Sequence, residues 1–273
     1  MPDTRFDVQG RTAVITGGGG VLGSVMAHAL AKAGVRVAVL SLHAASASKV
    51  AEAIQADGGE ALGIACDVMD RTNLERARSE VLDSFGHIDI LINAAGGNSP
   101  HATTSANTSF FDLDVHAVDA VLDLNFTGTF QSCQIFGRDM AERKEGVMIN
   151  ITSMNALRPL TRIPAYSAAK AAVANFTQWL AVHMAQEYSP AIRVNAIAPG
   201  FFLTEQNHFL MIDAASGKPT QRGASILNQT PMGRLGEADD LVGTLLWLVS
   251  PASSFVTGIV VPVDGGFSAY SGI

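Results

Sequence analysis

Positive charge is scarce in this sequence and is nowhere gathered. Of 273 residues, 18 are Lys or Arg against 25 Asp or Glu, a net charge of −7. No basic track is present that would neutralise a phosphate backbone, which argues against a nucleic-acid partner. Net charge does not decide whether a small anion binds; local groups do. Cysteine is nearly absent. Cys66 and Cys133 stand far apart in apolar surroundings and read as buried free thiols. There is no CxxC, no HExxH and no other metal-ligand spacing, so no metal is expected. The first residues, Met1-Pro2-Asp3-Thr4-Arg5, lack the apolar centre of a signal peptide. The longest apolar runs are too short and too interrupted to span a bilayer. A cytoplasmic protein with no membrane partner is expected. No internal repeat or clear linker divides the sequence, so residues 1–273 are expected to form a single domain. With 48% apolar residues it can bury a large core.

Glycine is plentiful, 26 in all, and it falls at the ends of apolar runs. Thr12 to Ile15 is a β-branched run that ends in Thr16-Gly17-Gly18-Gly19-Gly20-Val21-Leu22-Gly23. A helical pattern follows through Met26, Leu30 and Ala33. Strand, glycine loop and helix make half of a βαβ unit, and such a loop sets backbone N–H groups and a helix N-terminus against a pyrophosphate. Further strands are expected at Val35–Leu40, Ala61–Ala65, Ile88–Ile92, Val147–Ile151, Ile192–Ile197 and Gly258–Val263. Helices are expected at Ser46–Ala56, from the N-cap Asp70 to Phe85, at Val115–Arg143, from Ala165 to about Gln186, and at Asp239–Leu248. This alternation predicts an α/β fold: one doubly wound Rossmann-type domain with a mostly parallel, seven-stranded sheet. Residues 201–230 break the rhythm and are expected to insert helical structure as a substrate lid.

The second strand ends in Ser41-Leu42-His43. Neither a carboxylate, which would bond the ribose hydroxyls of NAD, nor an arginine suited to the phosphate of NADP stands there. Ser41 suits either. Asp67 follows the third strand and can accept from an adenine amino group. Asn93-Ala94-Ala95-Gly96 follows the fourth, where small residues let the backbone approach a flat cofactor. Asn98 and His101, in the polar stretch 98–111, are candidate substrate contacts. Asn125 sits on an apolar helical face and needs partners. It either bonds locally or anchors a water.

Tyr166 and Lys170 are four residues apart, on one face of the predicted helix. A phenol is a poor acid or base near neutral pH, and a nearby ammonium is expected to lower its pKa. Ser153 lies at a strand end, thirteen residues before Tyr166, and the intervening loop can bring both hydroxyls to one carbonyl oxygen. Asn155, Arg158, Gln206 and Asn207 are further polar candidates for the substrate. Arg158, Arg222 and Arg234 are the cations that could meet a carboxylate. Ala168, Ala169, Ala171, Ala172 and Ala174, with Phe176 and Trp179, suit a packed core or a subunit interface.

Taken together, Thr16-Gly17 with Gly23, Asp67, Asn93-Ala94-Ala95-Gly96, Asn125, Ser153, Tyr166-x-x-x-Lys170, Pro199-Gly200 and Asp264-Gly265-Gly266 resemble the short-chain dehydrogenase/reductase family over nearly the whole sequence. Val21 departs from the family's usual third glycine, a freedom that Gly19 or Gly20 would have to supply. The resemblance implies a catalytic set of Asn125, Ser153, Tyr166 and Lys170. It implies NAD(H) or NADP(H) bound by Gly17, Gly19, Gly20, Leu22, Gly23, Ser41, Asp67, Val68, Asn93, Ala94, Ala95, Gly96, Tyr166, Lys170, Pro199, Gly200 and Thr204. It also implies a homotetramer, or at least a dimer. Gly17–Gly23, Ala95–Asn98, Ser153–Ala156, Phe201–Asn207 and Phe267–Gly272 resemble a subgroup within that family, the D-mannonate oxidoreductases or fructuronate reductases of the short-chain type. That subgroup implies a small sugar-acid substrate, with a lean to NAD(H). The rival readings are another polyol dehydrogenase, a 3-oxoacyl thioester reductase, or an inactive dinucleotide-sensing protein.

Overall fold

The computed structural model describes residues 4–203, 208–214 and 216–272. Seven strands run parallel in one sheet, in the order β3-β2-β1-β4-β5-β6-β7. They are β1 (Thr12–Thr16), β2 (Arg36–Ser41), β3 (Ala61–Ala65), β4 (Ile90–Asn93), β5 (Gly146–Ile151), β6 (Ile192–Pro199) and β7 (Val260–Val263). β1, β4, β5 and β6 are buried at every residue. Continuous apolar runs are what a parallel sheet covered on both faces requires.

Side chains alternate between two cores. Ala13 and Ile15 meet α1 (Val21–Lys32), α2 (Ala44–Ala56) and, at the other edge, α9 (Val242–Val249), through Met26, Leu30, Val50 and Leu245. Val14 and Leu91 face the opposite layer, where α3 (Arg71–Phe85), α5 (Gly128–Arg143) and α6 (Pro164–His183) bring Leu74, Phe136 and Leu180. The strand order reverses beside β1, which lies between β2 and β4. The crevice beyond the carboxyl ends of β1 and β4 is where such sheets receive ligands.

The expected α/β fold, with its single parallel seven-stranded domain, is what the structure shows. Several details differ. The helix expected over Val115–Arg143 is interrupted. α4 (Val115–Leu122) passes through a widened π-type turn, Asp123–Thr127, before α5 begins. α2 starts two residues before the expected Ser46, and α9 is preceded by a tight turn, Ala238–Leu241, that Glu237 and Asp240 cap reciprocally. Asp89, the one charge in the fourth apolar run, accepts from the Thr12 N–H at 2.8 Å and from Arg143 at 2.9 Å. It ties β4 to β1 below the crevice. The connection after β6 contains two short helices, α7 (His208–Met211) and α8 (Gln221–Asn228). No helix among the described residues is long and apolar enough to cross a membrane. Cys66 and Cys133 are buried and unpaired. Burial pushes their thiols up to about 11 and about 12.

Candidate active site

The crevice is lined first by the glycine loop. Gly17 leaves β1 with φ +66°, and a Cβ there would stand 2.6 Å from the Ala95 nitrogen. Only glycine meets both conditions. The freedom expected of Gly19 or Gly20 in place of the glycine absent at Val21 is one of space, since a Cβ on Gly19 would stand 2.8 Å from the Ser41 Oγ. Neither has a positive φ, and Gly20 is the N-cap of α1 at φ −83°, with no side chain to cap the helix. The first N–H groups of α1 therefore face the crevice without an intrahelical partner. Gly23 is buried against the Gly17 carbonyl, and Leu22 packs on the core. Ser41 ends β2 beside Gly19, where an added Cβ would lie 2.8 Å from the Ser41 Oγ. Asp67 accepts from the Met69 N–H at 2.9 Å, and Val68 packs on Gly128.

Asn93 turns away from the crevice. Its Nδ2 donates to the Asn150 Oδ1 at 2.9 Å and to the Cys133 sulfur at 3.1 Å. Asn150 in turn donates to Thr177 at 2.9 Å. Asn93 thus braces β4 and β5 against α5 and α6. Ala94 and Ala95 donate their N–H groups toward Thr16, and Gly200, after Pro199, donates to the Val263 carbonyl at 2.9 Å. Thr204, Gln206 and Asn207 lie outside the described residues. A loop stripped of Cβ atoms, ahead of an uncapped helix N-terminus at the switch point, fits a dinucleotide pyrophosphate.

The reactive groups gather beside this loop. Ser153, just past β5, accepts from the Asn155 N–H at 3.2 Å, and its hydroxyl lies near enough to the phenol of Tyr166 to favour the phenolate. Lys170, one turn further along α6, is only 4% exposed, and its Nζ donates to the Ile151 carbonyl at 2.9 Å. The ammonium lies 5.6 Å from the centre of the Tyr166 ring. Burial pushes Lys170 down to about 8. Burial pushes the Tyr166 phenol up, outweighing the opposing bond from Ser153. The expectation that Lys170 lowers the Tyr166 pKa is corrected on this point. The desolvated pocket disfavours both charged forms, and the lysine spends one N–H on the Ile151 carbonyl.

Asn125 is fully buried in the widened turn. Its Nδ2 donates to the carbonyls of Gly97 at 2.7 Å and Val121 at 2.8 Å, and its Oδ1 accepts from the Gly97 N–H at 3.2 Å. A Cβ on Gly96 would stand 2.6 Å from that Oδ1 and 3.1 Å from the Lys170 Nζ. Asn125, the loop after β4 and Lys170 are therefore one packed unit. The sequence could not show the Ile151 and Gly97 carbonyls as anchors, because every residue carries a carbonyl.

The expected substrate contacts are less concentrated. Asn155 is buried next to Ser153, with its Oδ1 unpaired among the described residues. Asn98 bonds to Thr103 within its own exposed loop, and His101 is exposed on the same loop. Arg158 donates to the Tyr270 carbonyl, tying the C-terminal segment to the loop between Ser153 and Tyr166. Arg234 makes two bonds of 2.7 Å to Asp240.

Known proteins are similar to this chain over nearly its whole length. Residues 20–268 match a family model described as enoyl-(acyl carrier protein) reductase. An uncharacterized oxidoreductase, UxuB, of Bacillus subtilis (strain 168) is 50% identical, over 98% of each chain. A Haemophilus influenza structure, provisionally described as a D-mannonate oxidoreductase with bound NAD, is 46% identical, covers 98% of each chain and has a TM-score of 0.92. A gluconate 5-dehydrogenase from Burkholderia cenocepacia J2315, solved with NADP and tartrate, is 32% identical with a TM-score of 0.86, over 97% of this chain and 98% of its own. By these near-full-length matches, this chain belongs to the short-chain dehydrogenase/reductase family of NAD(P)-dependent oxidoreductases.

Proposed function

We propose that this enzyme interconverts a keto sugar acid and its hydroxy acid, D-fructuronate and D-mannonate, with a preference for NAD(H). The observation that carries the chemistry is the contact of Ser153 with Tyr166 beside the buried Lys170. The sugar-acid assignment is supported by the Haemophilus structure and by the gluconate 5-dehydrogenase crystallised with tartrate, a dicarboxylic hydroxy acid.

A bound nicotinamide supplies or accepts the hydride at the substrate carbon. Tyr166 gives its proton to the ketone oxygen during reduction and takes it back during oxidation. A phenol held protonated by burial is ready to act as the acid. Ser153 bonds to the same oxygen and steadies the charge that develops on it. Lys170 holds the ribose hydroxyls of the dinucleotide. Asn125 fixes the Gly97 backbone and keeps Gly96 against Lys170. Gly17, Gly19, Gly20, Leu22 and Gly23 cradle the pyrophosphate. Ser41, Asp67 and Val68 border the adenosine, and Asn93, Ala94, Ala95, Pro199, Gly200 and Thr204 border the rest of the cofactor. Asn98, His101, Asn155, Gln206 and Asn207 bind substrate hydroxyls, under a lid formed by residues 201–230.

In this reading the enzyme is cytoplasmic, in keeping with its two free thiols, and homotetrameric. Trp179 and Val182 on α6 are 56% and 57% exposed, an apolar face suited to a second copy of the protein.

The test is reductase turnover with NADH and with NADPH on D-fructuronate, D-tagaturonate, 5-keto-D-gluconate and a simple β-keto ester. Selective turnover of D-fructuronate, reduced about 10²–10⁴-fold in Tyr166→Phe with dinucleotide affinity retained, is expected. Activity confined to the β-keto ester would move the substrate to the thioester class. Dinucleotide binding without turnover on any ketone would favour a sensing protein.

A further inference from the structure

With a net charge of −7, the molecule as a whole repels an anionic substrate, so any attraction has to come from local cations. The arginines around the substrate loops divide into two groups. Arg158 is spent on the Tyr270 carbonyl, and Arg234 is held by Asp240 through two bonds. Arg162, four residues before Tyr166, and Arg222 on α8 make no ion pair and no side-chain hydrogen bond among the described residues. Both line one cavity of about 470 Å³, with Gln221 and Gln229 beside them and no carboxylate among the described residues of its wall. Phe201 and Phe267, in edge-to-face contact at 5.1 Å, close one side.

Arg162 supplies a second observation. Its φ is +75°, one of two non-glycine residues with positive φ among those described. An arginine has no preference for this conformation. It is imposed from outside: the Thr104 N–H donates to the Arg162 carbonyl at 2.8 Å, so the loop after β4 holds the loop before α6. Backbone strain of this kind persists where the surroundings over-determine it, and it gathers at ligand clamps.

We propose that Arg162 and Arg222 bind the carboxylate of the substrate and thereby select keto acids over neutral ketoses. The inference rests on the sugar-acid reading above. A six-carbon keto acid of this class carries its ketone near one end and its carboxylate at the other. With the ketone oxygen at Ser153 and Tyr166, the acid end has to be met several carbons away. Two planar guanidinium groups suit a carboxylate bidentately.

The experiment compares KM for D-fructuronate with KM for D-fructose in the full-length protein, Arg222→Gln, Arg222→Lys and Arg162→Asn. Asparagine tolerates the positive φ, so that variant removes the cation without adding strain. The expected result is a loss of roughly 10- to 100-fold in selectivity for the acid in Arg222→Gln and Arg162→Asn, the range for removing one charge-assisted bond, with partial recovery in Arg222→Lys. Calorimetric binding of D-mannonate against D-mannitol to the NADH complex, in which neither alcohol can be oxidised, reads the same selectivity without turnover. A protein that prefers the acid, and whose variants keep that preference, overturns the pocket and leaves the sugar-acid reading standing. An unsubstituted protein with no preference in either assay overturns the sugar-acid reading itself, and the pocket with it.

Discussion

At the residue scale the reactive cluster is governed by burial. Tyr166-x-x-x-Lys170 was legible because its spacing puts both side chains on one helical face, and Ser153 because it ends an apolar run. The balance of charge among them was not legible, because desolvation depends on what packs around a group. Lys170, pushed from 10.5 to about 8, has a consequence for stability. Between those two pH values the unfolded state holds the proton and the folded state releases it, so stability attributable to Lys170 rises as pH rises through this window. Below about 8 the folded protein bears the full cost of a buried ammonium. Urea unfolding of the unsubstituted protein and of Lys170→Met is therefore expected to converge, or to cross in favour of the lysine, as pH is raised from 8 toward 10.5. A stability difference that stays constant over that window would contradict a desolvated lysine.

At the element scale the informative feature is the interruption of the helix expected over Val115–Arg143. Its apolar periodicity was readable, but the widened turn at Asp123–Thr127 was not. That turn is fixed by long-range bonds from Asn125 to Gly97, 28 residues away in sequence, and local patterning carries no record of such bonds. Turns of this type are frequent at functional sites. The turn makes the loop after β4 a structural partner of α6 as well as a wall for the cofactor. Gly96→Ala tests this coupling. The new Cβ would meet the Asn125 Oδ1 at 2.6 Å and the Lys170 Nζ at 3.1 Å, and would have to displace both. A cost of about 1–3 kcal/mol in stability is expected from overpacking, with a fall in kcat larger than that in Gly97→Ala, where the Cβ meets nothing within 4 Å. Equal effects of the two substitutions in steady-state assays and thermal melts would separate the loop from the lysine.

At the scale of the whole molecule, the sheet was readable because each parallel strand is a short, mostly apolar run between a helix end and a glycine or polar turn, as in Ile192–Pro199 and Ala61–Ala65. The insertion after β6 was readable only as a departure from that rhythm. Its short helices α7 and α8 owe their place to tertiary contacts, such as the Thr220 hydroxyl donating to the Leu210 carbonyl at 2.7 Å. The outer face of α5 and α6 shows what a single copy leaves uncovered. Phe130, Phe176, Trp179 and His183 stack in succession, with ring centres 4.8 to 6.2 Å apart, beside an open groove of about 920 Å³. Trp179, at 56% exposed, is the largest apolar side chain left to solvent there. An aromatic set this continuous is a candidate anchor for subunit association. Trp179→Asp would place a carboxylate in that contact while leaving the internal core of α6, Val173, Phe176 and Leu180, unchanged. If the proposed tetramer uses this face, light scattering after size exclusion is expected to show its mass falling to that of a smaller species, with far-ultraviolet circular dichroism retained. An unchanged tetramer would move the interface elsewhere on the molecule, and a monomeric unsubstituted protein would assign this face to some other partner.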